Sequence, residues 1–410
     1  MRALVKMFRF IVQLQGAVVQ GVELDRGRNA VVIAIRRRRN ARARCSTCNT
    51  PMGGAAQAVK REWRHLNLIG RWCLVRATIR EARCPRHGRR LERVPWASPR
   101  ARHTRPFDLQ VASLAQVADK TATQRMFEIA WRTVGGIVQR VVTERLGRDR
   151  FAELYAVGVD ETSYKRGHRY ITVVTNLLTG RVVWVGEGKS GATLDRFFDQ
   201  LGAARCAKIV VVTMDMSEAY RNAVERRAPQ ADIVYDRFHV VKLLLDAVDE
   251  VRREESRTLE GPRRDELKHT RFAFLRNPRH LTPRDRDAIA RVQRCNNRLA
   301  RLYQYRVDFE HLWTYSDERR ARTFIKLWTR SALLSRIEPL RRFARTVRTH
   351  IEGILGFFRY YRLTNANLEG TNNKIKLIIH RSFGFHSVDS LFAMIHLCCS
   401  GIDLQAPVLR

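Results

Sequence analysis

Acidic residues are scarce in this chain. Asp and Glu total 40 against 77 Lys and Arg, which gives a formal net charge of +37 over 410 residues. A charge of this size repels itself unless a polyanion is the working partner. Nucleic acid is the first choice. An anionic membrane surface is the alternative, but no basic amphipathic helix stands out as an anchor, so we expect no membrane partner.

Long hydrophobic runs and cysteines are also few. The apolar stretch near the N-terminus is interrupted by Lys6, Arg9, Gln13 and Gln15, so we expect neither a signal peptide nor a transmembrane span. Eight cysteines are too few for a disulfide scaffold in a chain of this length. The composition therefore predicts a cytosolic, reduced protein of roughly two to three domains.

Two short cysteine motifs frame a predicted β-hairpin in the first 100 residues. Cys45-Ser-Thr-Cys48 forms the first and Cys84-Pro-Arg-His87 the second. Two such knuckles around a hairpin are typical of a zinc ribbon, in which the metal replaces a missing core. The 35-residue gap between them exceeds the usual spacing, so His65 or Cys73 could replace one ligand. A structural Cys84 with a surface His87 is the alternative without metal.

A run of arginines precedes the first knuckle. Six arginines occupy the nine positions 36–44. The run is either a solvated loop or an arm that grips phosphates, and the overall charge favours the arm. The arginines predicted to contact DNA are Arg36, Arg37, Arg38 and Arg39.

Residues 107–146 carry a helical apolar period that fits a helix-turn-helix. Trp131-Arg-Thr-Val134 would open the second helix, which enters the DNA groove. Glu128 occupies the turn where glycine is expected, and Ala130 is a poor N-cap, so two packed helices without DNA contact stay open as the alternative. The side chains predicted to face DNA are Arg132, Gln139 and Arg140.

From residue 151 the pattern changes to alternating strands and helices. Three predicted strands each end in an acid, namely Asp160, Asp215 and Asp236. One acid at a strand end is commonplace, but three in one mixed sheet suggest a shared acidic rim. Two alternatives stay open: Asp160 could be a loop cap with Glu161 as the ligand, and Asp215 could cap the following helix.

A long Arg-rich helical block follows, and a further acid comes after it. Residues 240–350 show few strand signals and resemble an all-helical insertion. The Asn-rich segment 363–376 then leads into a helix that carries Glu369, with Asn373 and Lys376 near its face at helical intervals. Glu369 could also act only as compensation for the helix dipole.

Carboxylates at two strand ends and on one helix suit phosphodiester chemistry. Cleavage and transfer need an activated oxygen nucleophile and relief of charge on the departing oxygen, and two divalent ions about 4 Å apart provide both. Mg²⁺ prefers oxygen ligands, so Asp160, Asp215 and Glu369 could hold two Mg²⁺ or Mn²⁺ ions. Paired acids also serve glycoside hydrolysis, but a charge of +37 gives no reason to expect a sugar substrate.

Five motifs follow one another along the chain. They are Val157-Gly-Val-Asp160-Glu, Lys165-Arg-Gly-His168-Arg-Tyr170, Met214-Asp215-Met-Ser, Asp236-Arg-Phe-His239-Val and Asn367-Leu-Glu369-Gly-Thr-Asn-Asn-Lys-Ile-Lys376. This series resembles that of Asp-Asp-Glu transposases, and most closely the ISL-three family of bacterial insertion sequences. Each motif is weak alone, but their order and spacing together are specific, and the resemblance runs through the whole chain.

The resemblance implies an RNase H-like catalytic domain with a helical insertion between its second and third acids. It places Asp160, Asp215 and Glu369 in a metal-binding triad. The residues that it places near this triad are Glu161, Asp236 and His239. His239 could instead be a satisfied core histidine. The chain departs from the family pattern at His87, where cysteine is usual, and at Ala366, where glycine often precedes the acid.

We therefore predict an α/β core with an RNase H-like mixed sheet and a large α-helical insertion, preceded by a small zinc-ribbon β module and a helix-turn-helix. The predicted segments are 1–100 for the zinc-ribbon module, 101–150 for the helix-turn-helix, 151–239 for the first part of the core, 240–355 for the insertion and 356–410 for the rest of the core.

The function expected from the resemblance is transposition of an insertion sequence. The enzyme would bind the terminal inverted repeats as a homo-oligomer, hydrolyse a phosphodiester and pass the freed 3′ hydroxyl into target DNA, in the bacterial cytoplasm. It would use two Mg²⁺ or Mn²⁺ ions and a structural Zn²⁺, and Lys165, Arg166 and Lys376 would contact phosphates. The alternatives are a non-catalytic DNA-binding regulator derived from such an enzyme, and an RNase H-like nuclease without strand transfer.

Overall fold

The computed structural model describes most of the chain. The described residues are 2–12, 14–38, 42–165, 167–258, 260–267, 269–360, 366–382 and 384–404, without the side chains at 2, 4, 148, 149, 262, 263, 266, 295 and 366–369. Arg39, Arg166 and the side chain of Glu369, all predicted site residues, lie outside this part. The chain divides into two compact units, Met1–Gly147 with Arg381–Arg410, and Arg148–His380.

A five-stranded sheet forms the centre of the first unit. Its strand order is β1-β2-β4-β3 with β5 paired to β4, and only β2 and β4 run parallel. The inward positions of the strands, such as Ile33, Trp63 and Val75, are buried in one apolar core. The elements are α1 (Arg2–Val12), β1 (Ala17–Asp25), β2 (Ala30–Arg37), β3 (Gly53–Leu68), β4 (Arg71–Cys84) and β5 (Gly88–Leu91).

Three helices follow the sheet, namely α2 (Arg105–Val117), α3 (Lys120–Phe127) and α4 (Trp131–Arg145). The carboxylate of Asp119 caps α3 by accepting from the backbone N–H groups of the next turn. Glu128 adopts the left-handed conformation, with φ +50°, at the turn where glycine was expected. Its carboxylate compensates by accepting from the Trp72 indole and pairing with Arg64. Helix α4 begins at Trp131, where the sequence predicted the start of the groove-entering helix of the helix-turn-helix.

The second unit contains a mixed five-stranded sheet in the order β10-β9-β6-β7-β8. The strands β6, β7 and β8 form an antiparallel meander. The other two, β9 and β10, run parallel to β6. Three helices accompany it, and the apolar face of the first, with Leu194 and Phe197, is fully buried. The elements are β6 (Ala156–Lys165), β7 (Arg169–Asn176), β8 (Arg181–Glu187), α5 (Gly191–Leu201), α6 (Ala203–Cys206), β9 (Val211–Met214), α7 (Glu218–Arg227) and β10 (Asp232–Tyr235).

The predicted helical block begins directly after β10. Its last helix returns to the sheet, where Gly353 and Gly356 permit close contact: a Cβ at these positions would lie 2.4 Å from the Tyr235 ring and 2.7 Å from Val234 Cγ2. The helices are α8 (Arg237–Thr258), α9 (Gly261–Leu267), α10 (Arg271–Leu275), α11 (Pro283–Cys295), α12 (Asn297–Glu310), α13 (Glu318–Leu334), α14 (Glu338–Thr349) and α15 (Ile351–Arg359), followed by α16 (Ala366–Arg381).

The closing helix α17 (Val388–Cys399) packs on α2 and α4 in the first unit. Gln116 donates to the Leu397 carbonyl at 2.8 Å, and Arg381 donates to the carbonyls of Ala115 and Gln116 at the end of α2. The sequence-based prediction placed this helix in the catalytic core. An apolar stripe shows that a helix buries one face, but it does not show against which partner that face packs. Among the described helices, none has the length and apolar character needed to cross a membrane.

Candidate active site and metal centre

Three neighbouring parallel strands bring three acids to one level of the sheet. Gly158 on β6 lies opposite Thr213 on β9, and Met214 on β9 lies opposite Tyr235 on β10. Continuing these registers places Asp160, Asp215 and Asp236 in one row, with neighbouring backbones about 4.8 Å apart. Asp215 and Asp236 directly follow β9 and β10, whereas β6 does not end at Asp160 as predicted but continues to Lys165 in pairing with β7. The backbone N–H of Asp236 still donates to the Met214 carbonyl at 3.0 Å, so the pairing extends to the acid itself.

Asp160 is fastened to the helix that follows the insertion. Its Oδ2 accepts from Asn372 Nδ2 at 2.6 Å, and its Oδ1 accepts from the backbone N–H of Glu161 at 2.7 Å. Thr162 fixes the orientation of the Asn372 amide by donating to its Oδ1 at 3.0 Å. Asn372 lies three residues after Glu369 on α16. The sequence analysis did not single out Asn372, although its distance of one helical turn from Glu369 was a usable signal.

Asp160 and Glu161 are costly to ionise in this setting. Burial is the main cause that raises the pKa of Asp160 and of Glu161, and the charge of Asp215 adds to both effects. Hydrogen bonds from Glu161 and Asn372 and the charge of His239 oppose the shift at Asp160. Carboxylates that are buried and crowded in this way favour a bound cation, and oxygen is the ligand that Mg²⁺ prefers.

His239 lies among the acids rather than in an apolar core. His239 lies on the first turn of α8, and its Nδ1 is 3.2 Å from Oδ2 of Asp236, which directly precedes that helix. This hydrogen bond is the largest cause that raises the pKa of His239, and the charges of Asp160 and Asp215 act in the same direction. The imidazolium form is therefore favoured next to the acidic row.

A cavity of about 550 Å³ opens beside these residues. Residues from the sheet, the insertion and α16 contribute to its wall, and Phe238 exposes 61% of its surface there. Among the described residues, Asp215 and Lys165 are not part of the lining, and Lys165 is exposed at the end of β6. The lining comprises Asp160, Glu161, Thr162, Asp236, Arg237, Phe238, His239, Val241, Asn277, Glu310, Asn372, Asn373 and Lys376.

The two knuckles of the first unit converge. The ligand atoms of Cys45, Cys48, Cys84 and His87 all lie within 4.8 Å of one another. Cys48 Sγ is 3.6 Å from Cys84 Sγ, and His87 Nδ1 is 3.7 Å from Cys84 Sγ. Ligand atoms around a tetrahedral ion such as zinc lie roughly 3.5–3.8 Å apart, so these four residues can hold a metal ion.

The two substitute ligands considered from the sequence have other surroundings. His65 is buried and its Nδ1 is 2.7 Å from the hydroxyl of Thr104. Cys73 is fully buried in the apolar core of the sheet, where burial raises the pKa of its thiol to about 12. Neither residue belongs to the cluster. His87 does belong to it, so this histidine is not an isolated surface residue.

Two of the arginines predicted to contact DNA are paired with buried acids. Arg37 contacts Glu92 at 2.7 Å, and Arg140 contacts both oxygens of Asp108 at 2.9 and 3.1 Å. A buried carboxylate that loses its counter-charge is strongly destabilising, so both arginines support the fold.

The other predicted DNA contacts in the first unit are placed less tightly. Arg36 donates to the Arg37 carbonyl at 3.0 Å, and Gln139 contacts Ser390 at 3.5 Å. Arg38 and Arg132 have exposed side chains.

Replacing Asn372 by alanine should lower both stability and cleavage. The change removes a hydrogen bond to an ionised acceptor, which contributes about 1.5–3 kcal/mol, and it frees α16 from Asp160. We expect a lower melting temperature together with a fall of roughly ten- to a hundredfold in metal-dependent DNA cleavage. Asn222→Ala, at an exposed asparagine of α7 outside the cavity, is the matched control and should change neither quantity. Equal behaviour of the two variants would contradict the role given to Asn372.

A row of carboxylates on a mixed sheet is an arrangement that can hold divalent cations, and comparison with known proteins shows the family to which this chain belongs. A family model described as "Transposase" matches residues 157–395, and one described as "Helix-turn-helix domain of transposase family ISL3" matches residues 92–142. The chain belongs to this ISL3 transposase family, which confirms the resemblance seen in the motifs.

Relatives from two bacteria resemble the chain over most of its length. The transposase for insertion sequence element IS1557 of Mycobacterium tuberculosis is 34% identical over 427 residues, which cover 97% of this chain and 96% of the relative. The transposase for insertion sequence element IS1001 of Bordetella parapertussis is 31% identical over 317 residues, covering 77% of this chain and 78% of the relative.

Proposed function

We propose that this chain catalyses transposition of an insertion sequence by metal-dependent hydrolysis and strand transfer. The observation that carries the proposal is the row of Asp160, Asp215 and Asp236 at one level of the sheet, with Asp160 bonded to the helix of Glu369. Within a transposase family, this arrangement supports chemistry at a phosphodiester. The mixed sheet with its helical insertion supports an RNase H-like core.

Asp160, Asp215 and Glu369 are the proposed holders of two Mg²⁺ or Mn²⁺ ions. Their hard oxygen donors and the raised pKa of Asp160 fit such ions. When bound, the ions supply an activated oxygen nucleophile and relief of charge on the leaving oxygen. Asn372 orients Asp160 through its hydrogen bond. On the same helix, the backbone of residue 369 lies one turn before Asn372.

The cationic side chains around the acids have a separate role in this proposal. His239, held by Asp236, and Lys376 both line the cavity and present positive charge to the DNA backbone. Lys165, at the end of β6, and its sequence neighbour Arg166 would contact phosphates further along the DNA. A phosphate that enters an acidic site needs such cations, because its own charge is otherwise repelled.

The first unit is proposed to recognise the terminal inverted repeats. Its cysteine-histidine cluster would hold Zn²⁺, since three thiolates and one imidazole are a common zinc ligand set. The helix-turn-helix and the exposed side chains of Arg38 and Arg132 would contact DNA. We further propose that the protein works as a homo-oligomer that joins both ends, on DNA in the bacterial cytoplasm.

One assay separates this function from its two alternatives. Purified protein is incubated with Mg²⁺, labelled duplexes carrying the sequences that flank its gene, and a supercoiled target plasmid. Transposition predicts nicks at one defined position and covalent joining of the labelled 3′ end to the plasmid. Defined cuts without joined product would indicate a nuclease, and specific binding without cuts would indicate a regulator. Either result would overturn the proposal.

A further inference from the structure

Glu128 occupies a position in the helix-turn-helix where its backbone is strained. It lies in the turn between α3 and α4 with φ +50°, a conformation that glycine adopts at lower cost. Its side chain is 57% exposed, and an exposed ion pair such as the one it forms with Arg64 contributes little to stability. Local stability therefore does not explain a glutamate at this turn, and its contacts point to another role.

The side chain of Glu128 connects this turn to the β-sheet of the first unit. Its carboxylate accepts from the indole N–H of Trp72 on β4 and lies 3.5 Å from the guanidinium of Arg64 on β3. Arg64 also lies 3.8 Å from the centre of the Trp72 ring and donates to the Phe127 carbonyl at 3.4 Å. Glu128, Arg64 and Trp72 thus form a joint that holds the end of α3 and the turn before α4 on the sheet.

A second connection joins the sheet to the start of α2. The backbone N–H of Arg64 donates to the Arg102 carbonyl, and the N–H of Thr104 donates to the Arg64 carbonyl, both at 2.9 Å. The Nδ1 of the buried His65 is 2.7 Å from the Thr104 hydroxyl. Because the helices are attached both where α2 begins and where α3 ends, they cannot pivot on the sheet about a single point.

Strand β4 separates the joint from the cysteine-histidine cluster by a fixed length. Trp72 and Cys84 are twelve positions apart on β4. At a rise of about 3.3 Å per residue, the strand spans roughly 40 Å between them. One turn of B-DNA is about 34–36 Å long, so the two ends of β4 lie about one turn of DNA apart.

In the described part of the chain, exposed arginines without an acidic partner lie at both ends of this distance. At the joint, Arg132 is exposed on the first turn of α4. At the cluster, the segment around Cys84 and His87 carries four more, namely Arg83, Arg86, Arg89 and Arg93. The first unit therefore presents positive charge at two places that its fold keeps apart.

We propose that Glu128 is a positioning residue that fixes the helix-turn-helix on the sheet, so that the first unit contacts each terminal inverted repeat at two places one helical turn apart. The inference rests on the proposed function and adds a spacing requirement to it. Contacts one turn apart face the same side of the duplex, so base pairs inserted between them change both the distance and the direction of the second contact. A rigid unit cannot follow that change, whereas two flexibly linked modules can.

Footprinting with the full-length protein tests the two contacts. A duplex carrying the sequence that flanks the gene is cleaved by hydroxyl radicals in the presence of the protein. We expect two protected regions with centres about 10–10.5 base pairs apart. Five base pairs inserted between the regions should weaken binding by about thirty- to a hundredfold, because the second region turns to the opposite side of the duplex. The same insertion outside both regions should leave the affinity unchanged.

Glu128→Gly removes the joint without straining the turn. Glycine accepts the positive φ of this position, so the melting temperature should not fall. We expect this variant to bind the natural duplex about three- to tenfold more weakly, and to lose at most about threefold more on the duplex with the inserted base pairs. Glu128→Gln keeps an acceptor for the Trp72 indole and should retain the spacing dependence of the unchanged protein.

Asn29→Gly is the matched control. Asn29 also has a positive φ, +47°, and its side chain accepts from Arg71 at 2.7 Å within the sheet. The substitution therefore introduces glycine at a comparable turn and removes a side-chain contact, but it leaves the joint intact. This variant should keep the full loss of affinity on the duplex with the insertion. Equal tolerance of the insertion in both glycine variants would show a general loosening of the unit and overturn the proposal.

The remaining outcomes separate this inference from the function on which it rests. A single protected region, or an insertion that costs the unchanged protein no affinity, would overturn the spacing requirement, while cleavage and joining at the flanking sequence would leave the proposed function standing. If Glu128→Gly keeps the full spacing dependence, the role given to Glu128 is wrong. If the full-length protein shows no preference for the flanking sequence, the proposed end recognition fails and the inference fails with it.

Discussion

The variant Asp160→Asn is expected to cleave DNA at least about a thousandfold more slowly than the unchanged protein. Asp160 lies beside Asp215 in the acidic row and is the one whose carboxylate is fixed by Asn372. Asparagine keeps the shape but removes the charge that would hold a divalent ion. Several kcal/mol of transition-state stabilisation depend on that ion, which corresponds to a factor of this size. Single-turnover cleavage of duplexes with the flanking sequence measures it.

Metal binding can be followed separately from catalysis. A ligand that binds only the folded state at a hundred times its dissociation constant stabilises it by about 2.7 kcal/mol. Mg²⁺ should therefore raise the melting temperature of the unchanged protein but not that of Asp160→Asn. The control is Asp199→Asn on α5, which alters an exposed ion pair with Arg227. This variant should keep both the cleavage rate and the rise in melting temperature with Mg²⁺. An Asp160→Asn protein that still cleaves with Mg²⁺ would remove this residue from the proposed triad.

Loss of the cysteine-histidine cluster should unfold part of the first unit. The double variant Cys45→Ser, Cys84→Ser removes two of four converging ligand atoms. Structural zinc contributes roughly 10–16 kcal/mol of apparent binding energy in small zinc modules, more than the net stability of most domains. We expect the zinc content to fall from one ion per chain to none, with rapid proteolysis in residues 42–100 and loss of specific DNA binding.

Cys73→Ala separates the loss of a ligand from the loss of a buried cysteine. Cys73 is fully buried in the same sheet but lies outside the cluster. This control should keep one zinc ion per chain and resist proteolysis, with only the modest destabilisation of a small core cavity. Unchanged zinc content in the double variant would show that the metal, if present, is held elsewhere.

The local patterns in the sequence were sufficient for much of the site. Apolar runs that end in an acid predicted the carboxyl ends of β9 and β10, because a buried strand cannot continue through an unpaired carboxylate. The same prediction was wrong for β6, which continues past Asp160 to Lys165 in pairing with β7, because Asn372 gives the Asp160 carboxylate a hydrogen-bond partner. The two knuckles predicted the metal cluster for a similar reason, since thiolates and imidazole at short spacing have a restricted chemistry. The order of the motifs predicted the transposase family, which the comparisons confirmed.

Other features depended on which partners meet in space. The spacing of the arginines gave no sign that Arg37 and Arg140 are bound to the buried acids Glu92 and Asp108. A high count of arginines predicts a polyanionic partner, but not which guanidinium groups are free for it. Asn372 was passed over because the bond that makes it important joins residues 212 positions apart.

The sequence by itself determined the transposase family, the two halves of the metal cluster and the strand ends that precede Asp215 and Asp236. These follow from residue type and short-range periodicity, which act within a few positions along the chain. Only the tertiary structure decided that strand register aligns the three acids and that Asn372 joins Asp160 to α16. Register and long-range contacts are set by the packing of the whole core, and no local pattern encodes them.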